Sequence, residues 1–134
     1  MQEKDKLKYL KIALNVFGAI FIAGIFLMMH WVWPDGWTWT PRQPEYEQMI
    51  MGVYATLGVF LIRAAKDPLA HSSLIWFTIW SSIVHGGIML VQAIVDETDR
   101  TNLLGDIPAI FLVAIVLWYL MPSQRVADQA VSSE

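Results

Sequence analysis

The 134-residue chain is 56% hydrophobic and 16% charged, with a mean hydropathy of +0.47 and a formal charge of −3, a balance that fits one membrane domain better than a soluble one. So small an acidic excess, with no Gly-rich phosphate loop, basic helix or RNA-reading aromatic motif, sets nucleic acid aside as a partner. The lack of cysteine excludes disulfides, thiolate chemistry, iron–sulfur clusters and cysteine-type zinc sites.

The first predicted element follows a lysine-bearing start (Lys4, Lys6, Lys8, Lys11) and is a nearly unbroken apolar run from Ile12 to Met29. It is longer than a signal core, and Met28–Trp33 offers no small residues for cleavage, so it reads as a retained span over about 9–33. Asn15, Ala19, Ile22, Phe26, Met29 and Trp33 share one helical stripe, expected to face the bundle. The stretch from Trp31 to Glu47 then holds Trp31, Trp33, Trp37 and Trp39 among Pro34, Pro41 and Pro44. Tryptophan prefers the headgroup boundary, which predicts a loop lying along a membrane surface.

A second span over about 45–63 ends in Arg63 and Lys66, cations that suit both the helix dipole and a cytoplasmic position. Glu47, Met51, Tyr54 and Gly58 form one stripe on it. Asp67-Pro68 is expected to cap the third helix, with proline where a missing N–H is harmless.

The third span, about 68–95, contains Leu74–Val95, a run with no formal charge and one titratable residue, His85. At about 100° per residue, Thr78, Ser81, Ser82, His85, Met89, Gln92 and Asp96 fall in a sector of roughly 100°. Polar groups turned to lipid are costly, so this stripe should face protein or water. It reads either as interhelical glue or as the wall of a pocket. Ser82 and Gly86 form a small-xxx-small pair through which neighbours can approach closely. His85 lies roughly 16 Å below the outer surface by helical rise, where the neutral imidazole, donating at one nitrogen and accepting at the other, is the expected form.

After the acidic Asp96–Asp106 connection, with Asp99 or Asp106 as candidate N-cap, a fourth span covers about 103–121. Pro108 falls in its first turn or kinks it, and Trp118 and Tyr119 read as a second aromatic girdle. The polar tail from Pro122 to Glu134 is expected to be disordered at its end. The expected fold is an all-α integral membrane four-helix bundle, N-in and C-in. This orientation places Lys4, Lys6, Lys8, Lys11, Arg63, Lys66 and Arg125 inside and only Arg42 and Arg100 outside. A soluble bundle would carry charged helix faces, which none of the four segments has.

Little conventional chemistry fits. His30, His71 and His85 fall at three depths, against bis-histidine haem. Met28, Met29, Met49, Met51 and Met89 could supply thioethers to a soft metal, but their spacing does not repeat, and no metal or cofactor is assigned. No carboxylate sits mid-span to drive proton-coupled export, and no G-x-S-x-G element is present. What remains is a pocket opening outward between the second, third and fourth spans. His85 and Tyr54 would lie at mid-depth and Glu47 and Gln92 nearer the exterior, with Ser81 and Ser82 on the same face. Asp96 and Asp106 would stand at the rim, with His30 as a further rim contact. Such a pocket suits a small ligand or lipid with one polar end. The alternative is a small membrane enzyme using His85 with a carboxylate for acid/base chemistry on a hydrophobic substrate. Membrane lipids are the expected partners, with self-association through Trp76, Trp80 and Gly87, or packing beside a larger membrane complex.

The block Gly52–Met89, with its Tyr-Ala-x-Leu-Gly helix, Lys-Asp-Pro turn and Trp-Ser-Ser-x-x-His helix, resembles an uncharacterised family of small four-span bacterial membrane proteins. The resemblance runs through the fourth span and implies the fold and a bacterial inner membrane. It brings no reaction, cofactor or catalytic residue, so Tyr54, Asp67, Pro68, Ser81, Ser82 and His85 gain interest without gaining a role.

The orientation is directly testable. A reporter that is active only after export, fused at Glu134, should stay inactive; export activity there would invert the assignment.

Overall fold

The computed structural model describes residues 1–123, which fold into four helices with no strand among them: α1 (Glu3–Val32), α2 (Pro44–Ala64), α3 (Ser72–Val95) and α4 (Asp106–Leu120). Short 3-10 turns at Pro34–Gly36 and Glu97–Leu103 lie in the α1–α2 and α3–α4 connections. Both connections lie at one end of the bundle, called here the cap end. At the opposite end the N-terminus meets the end of α4: Ser123 N–H donates to Glu3 Oε2 at 3.4 Å, and the Lys6 ammonium stands 6.0 Å from the Tyr119 ring centroid. Lys4, Lys6, Lys8, Lys11, Arg63 and Lys66 therefore cluster at that opposite end, and Arg42 and Arg100 at the cap. Arg125 and the expectation for the tail lie outside the described residues.

From Ile12 on, helix α1 is apolar nearly all round, so its sequence does not single out one face. The face turned inward is Leu10, Leu14, Phe17 and Phe21; of the stripe through Asn15, Ala19, Ile22, Phe26, Met29 and Trp33 only Met29 is buried, and the others are exposed. Asn15 needs no tertiary partner because its Nδ2 donates to the Lys11 carbonyl at 2.9 Å on its own helix. Past Ala19 the helix widens into π-helical turns at Ile20–Gly24 and Met28–Val32, the second closed by Trp33 N–H donating to Met28 O at 3.1 Å.

Helix α2 starts with Pro44 in its first turn, carries Glu45 and Glu47 beside the positive end of its dipole, and ends with Arg63. It crosses α1 where two glycines meet. A Cβ on Gly58 would sit 2.5 Å from the Gly18 carbonyl oxygen, and one on Gly18 would sit 2.7 Å from that of Gly58. The closest small-residue approach between helices is thus made by α1 and α2. Gly86 performs a similar but softer role on α3, lying against the Ile110 and Phe111 side chains of α4.

Helix α3 begins at Ser72, later than Asp67-Pro68 suggests. Those two residues build a separate turn, in which Asp67 Oδ1 accepts from Ala70 N–H at 3.3 Å and the Asp67 carbonyl accepts from His71 Nδ1–H at 2.9 Å. Asp106 is the first residue of α4, with Gly105 at the N-cap position and Pro108 in the first turn, where its absent N–H costs nothing.

Packing divides the bundle into an α1–α2 pair and an α3–α4 pair, joined where the first half of α1 lies along α4; α2 and α3 hardly touch. Leu10, Leu14, Leu61, Ile75, Ile79 and Leu117 close the core at the end opposite the cap. Outward faces are also apolar, with Val53, Phe77, Trp80, Val84, Ile115 and Trp118 exposed. The helices Glu3–Val32 and Ser72–Val95 and the stretch Glu97–Leu120 are long and apolar enough to cross a membrane. Helix α2 carries Glu45, Glu47, Gln48 and Arg63 at its ends and is not among them.

The α1–α2 crossing sets a prediction. Gly58→Leu must push the Gly18 backbone away, and overpacking of this kind costs about 1–3 kcal/mol. A clearly lowered thermal midpoint in detergent is expected, while Gly52→Ala, where a Cβ meets nothing within 4 Å, should not lower it.

Candidate functional site

The cap end is assembled from two loops far apart in sequence. Thr40 N–H donates to Asp99 Oδ1 at 2.9 Å, and Trp39 Nε1–H to Asp106 Oδ2 at 2.9 Å. Asn102, almost fully buried, donates to both the Thr38 carbonyl and Asp106 Oδ1 at 3.1 Å. Gly105 lies directly against the Gly36 backbone, where no side chain would fit. Asp96 begins the second loop and accepts from both the N–H and the hydroxyl of Thr98, which hold its carboxyl below the usual range. That exposed contact is therefore present at neutral pH and is lost as pH falls through the depressed value.

Beneath the cap, between all four helices, is a cavity of about 560 Å³. Its position follows from the packing. From Ile20 to Gly24, α1 stays with α2 but no longer lies along α4, and α2 and α3 stand apart, so the four helices border open space at this end. The walls are mostly apolar, with Phe21, Met28, Met51, Met89, Ile110 and Val113 among them. Polar groups enter at defined levels. Deepest is the pair Tyr54 and His85, whose Oη and Nδ1 are 2.6 Å apart and share one hydrogen bond across the gap between α2 and α3. With the phenol donating, Nδ1 accepts and the ring proton sits on Nε2. Phe21 packs edge-on against Tyr54, ring centroids 4.9 Å apart, and fixes the phenol from the α1 side.

Nearer the cap stand Glu47, Asp106, Trp39 and Trp37. Glu47 is held by Arg42 in a two-point pair, Nε to Oε1 at 2.7 Å and Nη2 to Oε2 at 2.8 Å, the strongest geometry available to such ions. Trp37 differs from its neighbours: its Nε1–H is buried and has no acceptor.

Among the residues singled out from sequence, the structure brings Tyr54, His85 and Glu47 to this one cavity. Gln92 lies instead in a second groove of about 580 Å³ on the outer side of Trp39, with Asp96 and Asp99. Ser81 Oγ donates to the Thr78 carbonyl at 3.2 Å within its own helix, and Ser82 is buried; neither lines the cavity. His30 is exposed, stacked on Phe26 with ring centroids 4.4 Å apart and its Nδ1–H donating to Phe26 O at 3.0 Å. Helix α1 supplies a wall that sequence reasoning assigned only to the other three spans. The outer loop also differs from a surface belt throughout. Trp31 is 73% exposed, but Trp37 and Trp39 turn inward to line the cavity, and Asp106 gives the Trp39 indole a partner that local sequence cannot reveal.

No group of three or more His, Cys, Asp or Glu side chains suited to a metal ion occurs among the described residues. The four cavity methionines Met28, Met29, Met51 and Met89 act as apolar lining. Chemically, the site offers a polarised Tyr–His pair, a neutralised Glu47, an acceptor-bearing Asp106 and one unused indole donor, within walls of hydrocarbon and thioether.

Neither a curated protein nor a solved structure matches the chain. A family match covers residues 5–132, nearly the whole length, and the chain therefore belongs to the family of unknown function DUF6632.

Proposed function

We propose that this protein is a four-span bundle of the bacterial inner membrane, N-in and C-in, that holds one small amphipathic or lipid-like molecule in the cavity around Tyr54 and His85. The observation that carries this reading is the cavity itself: about 560 Å³ lies within the roughly 300–1,000 Å³ of small-molecule sites, and apolar walls with a few convergent polar groups are their usual make-up. The membrane setting is supported by three helices of spanning length and apolarity, by the exposed apolar faces, and by the cations gathered at the end opposite the cap. In that setting α2 is the fourth span, with Glu47 and Gln48 at the boundary.

An acid/base enzyme is the other reading. It is favoured by the Tyr54–His85 hydrogen bond, which could relay a proton. Among the described residues no carboxylate hydrogen-bonds His85, however, and Glu47 is committed to Arg42. Binding therefore ranks ahead of catalysis.

Ala109 lines the cavity, so Ala109→Trp fills part of it while leaving the Tyr54 and His85 side chains themselves unaltered. The purified wild type should carry a lipid-like molecule, identified by mass spectrometry of the extract, that the variant has lost while keeping its thermal midpoint. His85→Gln, which preserves size and one hydrogen bond, should retain the molecule to within about tenfold, the scale of one hydrogen bond. Equal recovery of the same molecules from wild type and Ala109→Trp would refute the cavity as the binding site.

A further inference from the structure

Granting that the cavity binds an amphiphile, we infer that its ligand is a neutral molecule with an oxygen acceptor at its polar end, which reaches the cavity sideways between α1 and α4 and accepts a hydrogen bond from Trp37.

The polar end is defined by what the site still has to give. Each polar side chain at the cavity except one makes a hydrogen bond within the protein, His85 keeping only its Nε2–H to give: Tyr54 with His85, Glu47 with Arg42, and Asp106 with Trp39 and Asn102. The exception is the Trp37 Nε1–H, a donor buried without an acceptor. Leaving a buried donor unmet costs more than a hydrogen bond returns, so a molecule that brings an acceptor is favoured. An indole N–H can only donate, which makes it useless to an ammonium head. Charge argues against an anion as well. The ionisable groups nearest the cap are the carboxyls of Glu47 and Asp106, and the adjacent cation, Arg42, already spends two donors on Glu47. An acid or phosphate head would meet the Asp106 carboxyl and find no free counter-charge, because Arg42 is already paired with Glu47. Alcohols, esters and ketones meet the donor and pay neither penalty.

The route is defined by cavity-lining residues that the bundle leaves open. Ile20, Leu27 and Leu112 line the cavity and are nonetheless 40%, 40% and 55% exposed. They flank the crevice that opens where α1 turns π-helical and leaves α4. On the cap side the strapped loops and inward-turned Trp37 and Trp39 cover the cavity. An apolar chain already dissolved in the bilayer can therefore pass between α1 and α4 without crossing the polar cap.

The test uses the full-length protein in lipid nanodiscs and four photoactivatable probes that share one diazirine-bearing alkyl chain: a monoacylglycerol, the free fatty acid, the alkylamine and the plain hydrocarbon. Labelled residues are mapped by mass spectrometry. The monoacylglycerol should label the cavity wall around Met28 and Leu112 at least about tenfold more than each of the other three, the factor that one hydrogen bond supplies. Trp37→Phe should reduce its labelling to the hydrocarbon level, while Trp31→Phe, which alters an exposed ring, should not. Labelling by the fatty acid or the amine equal to that by the monoacylglycerol would overturn the assignment of a neutral head. Undiminished labelling of Trp37→Phe, or hydrocarbon labelling of the wild type as strong as that by the monoacylglycerol, would overturn the role of Trp37. Leu112→Trp should slow labelling from the bilayer, and an unchanged rate would overturn the side route. If no probe labels the cavity, the proposed binding function itself falls with the inference.

Discussion

A histidine in the middle of an apolar bundle has to be hydrogen-bonded, and His85 meets that demand across a gap. Its partner is Tyr54, on a helix that otherwise hardly touches α3. Leaving either group unpaired in such surroundings costs about 1–3 kcal/mol, so the bond fixes the distance between α2 and α3 without requiring their side chains to interlock. A polar strut of this kind holds two helices near each other and apart at once. Phe21 braces Tyr54 from α1, which ties the strut to a third helix.

The rest of the cavity follows from where the chain does pack closely. Gly18 and Gly58 bring the α1 and α2 backbones together, and Gly86 seats α3 against α4, so each pair is tight while the space between pairs is spanned by side chains alone. Toward the end opposite the cap, leucines and isoleucines fill that space. Toward the cap, α1 departs from α4 and no side chain replaces it. The loops then finish the enclosure, with Asp99, Asn102 and Asp106 receiving or supplying the hydrogen bonds that hold the Thr38–Thr40 segment down. Asn102 and Asp99 are among the few buried polar residues of the described chain, and both serve this one purpose.

The four helices were legible in the sequence because each is a long apolar run closed by charges, prolines or glycine. So was the stripe through Glu47, Met51 and Tyr54, since α2 has enough polar residues for a period to stand out. Helix α1 was misread for the opposite reason. Apolar in every direction, it offered only Asn15 as a guide, and Asn15 satisfies itself on the Lys11 carbonyl. Gln92 follows the polar sector of α3 but lies high enough to meet the outer groove instead. The inward turn of Trp39, and with it the placing of Thr38 and Thr40, depends on partners about sixty residues away, which no local pattern encodes. Trp-rich loops at a span boundary ordinarily face headgroups, and here only an acidic residue at the start of α4 says otherwise. Asp67-Pro68 carries a sound helix-start signal that the chain spends on a turn, with Ser72 opening the helix proper.

The central claim is a cavity held open by the Tyr54–His85 strut and occupied by a guest. An experimental structure of the protein in a lipid nanodisc tests it most directly. Elongated non-protein density is expected between α1 and α4, running from the Tyr54–His85 pair to the Trp37 indole. The opposite outcome is α2 packed flush against α3 with His85 turned outward and no space beside it; that would contradict both the strut and the site.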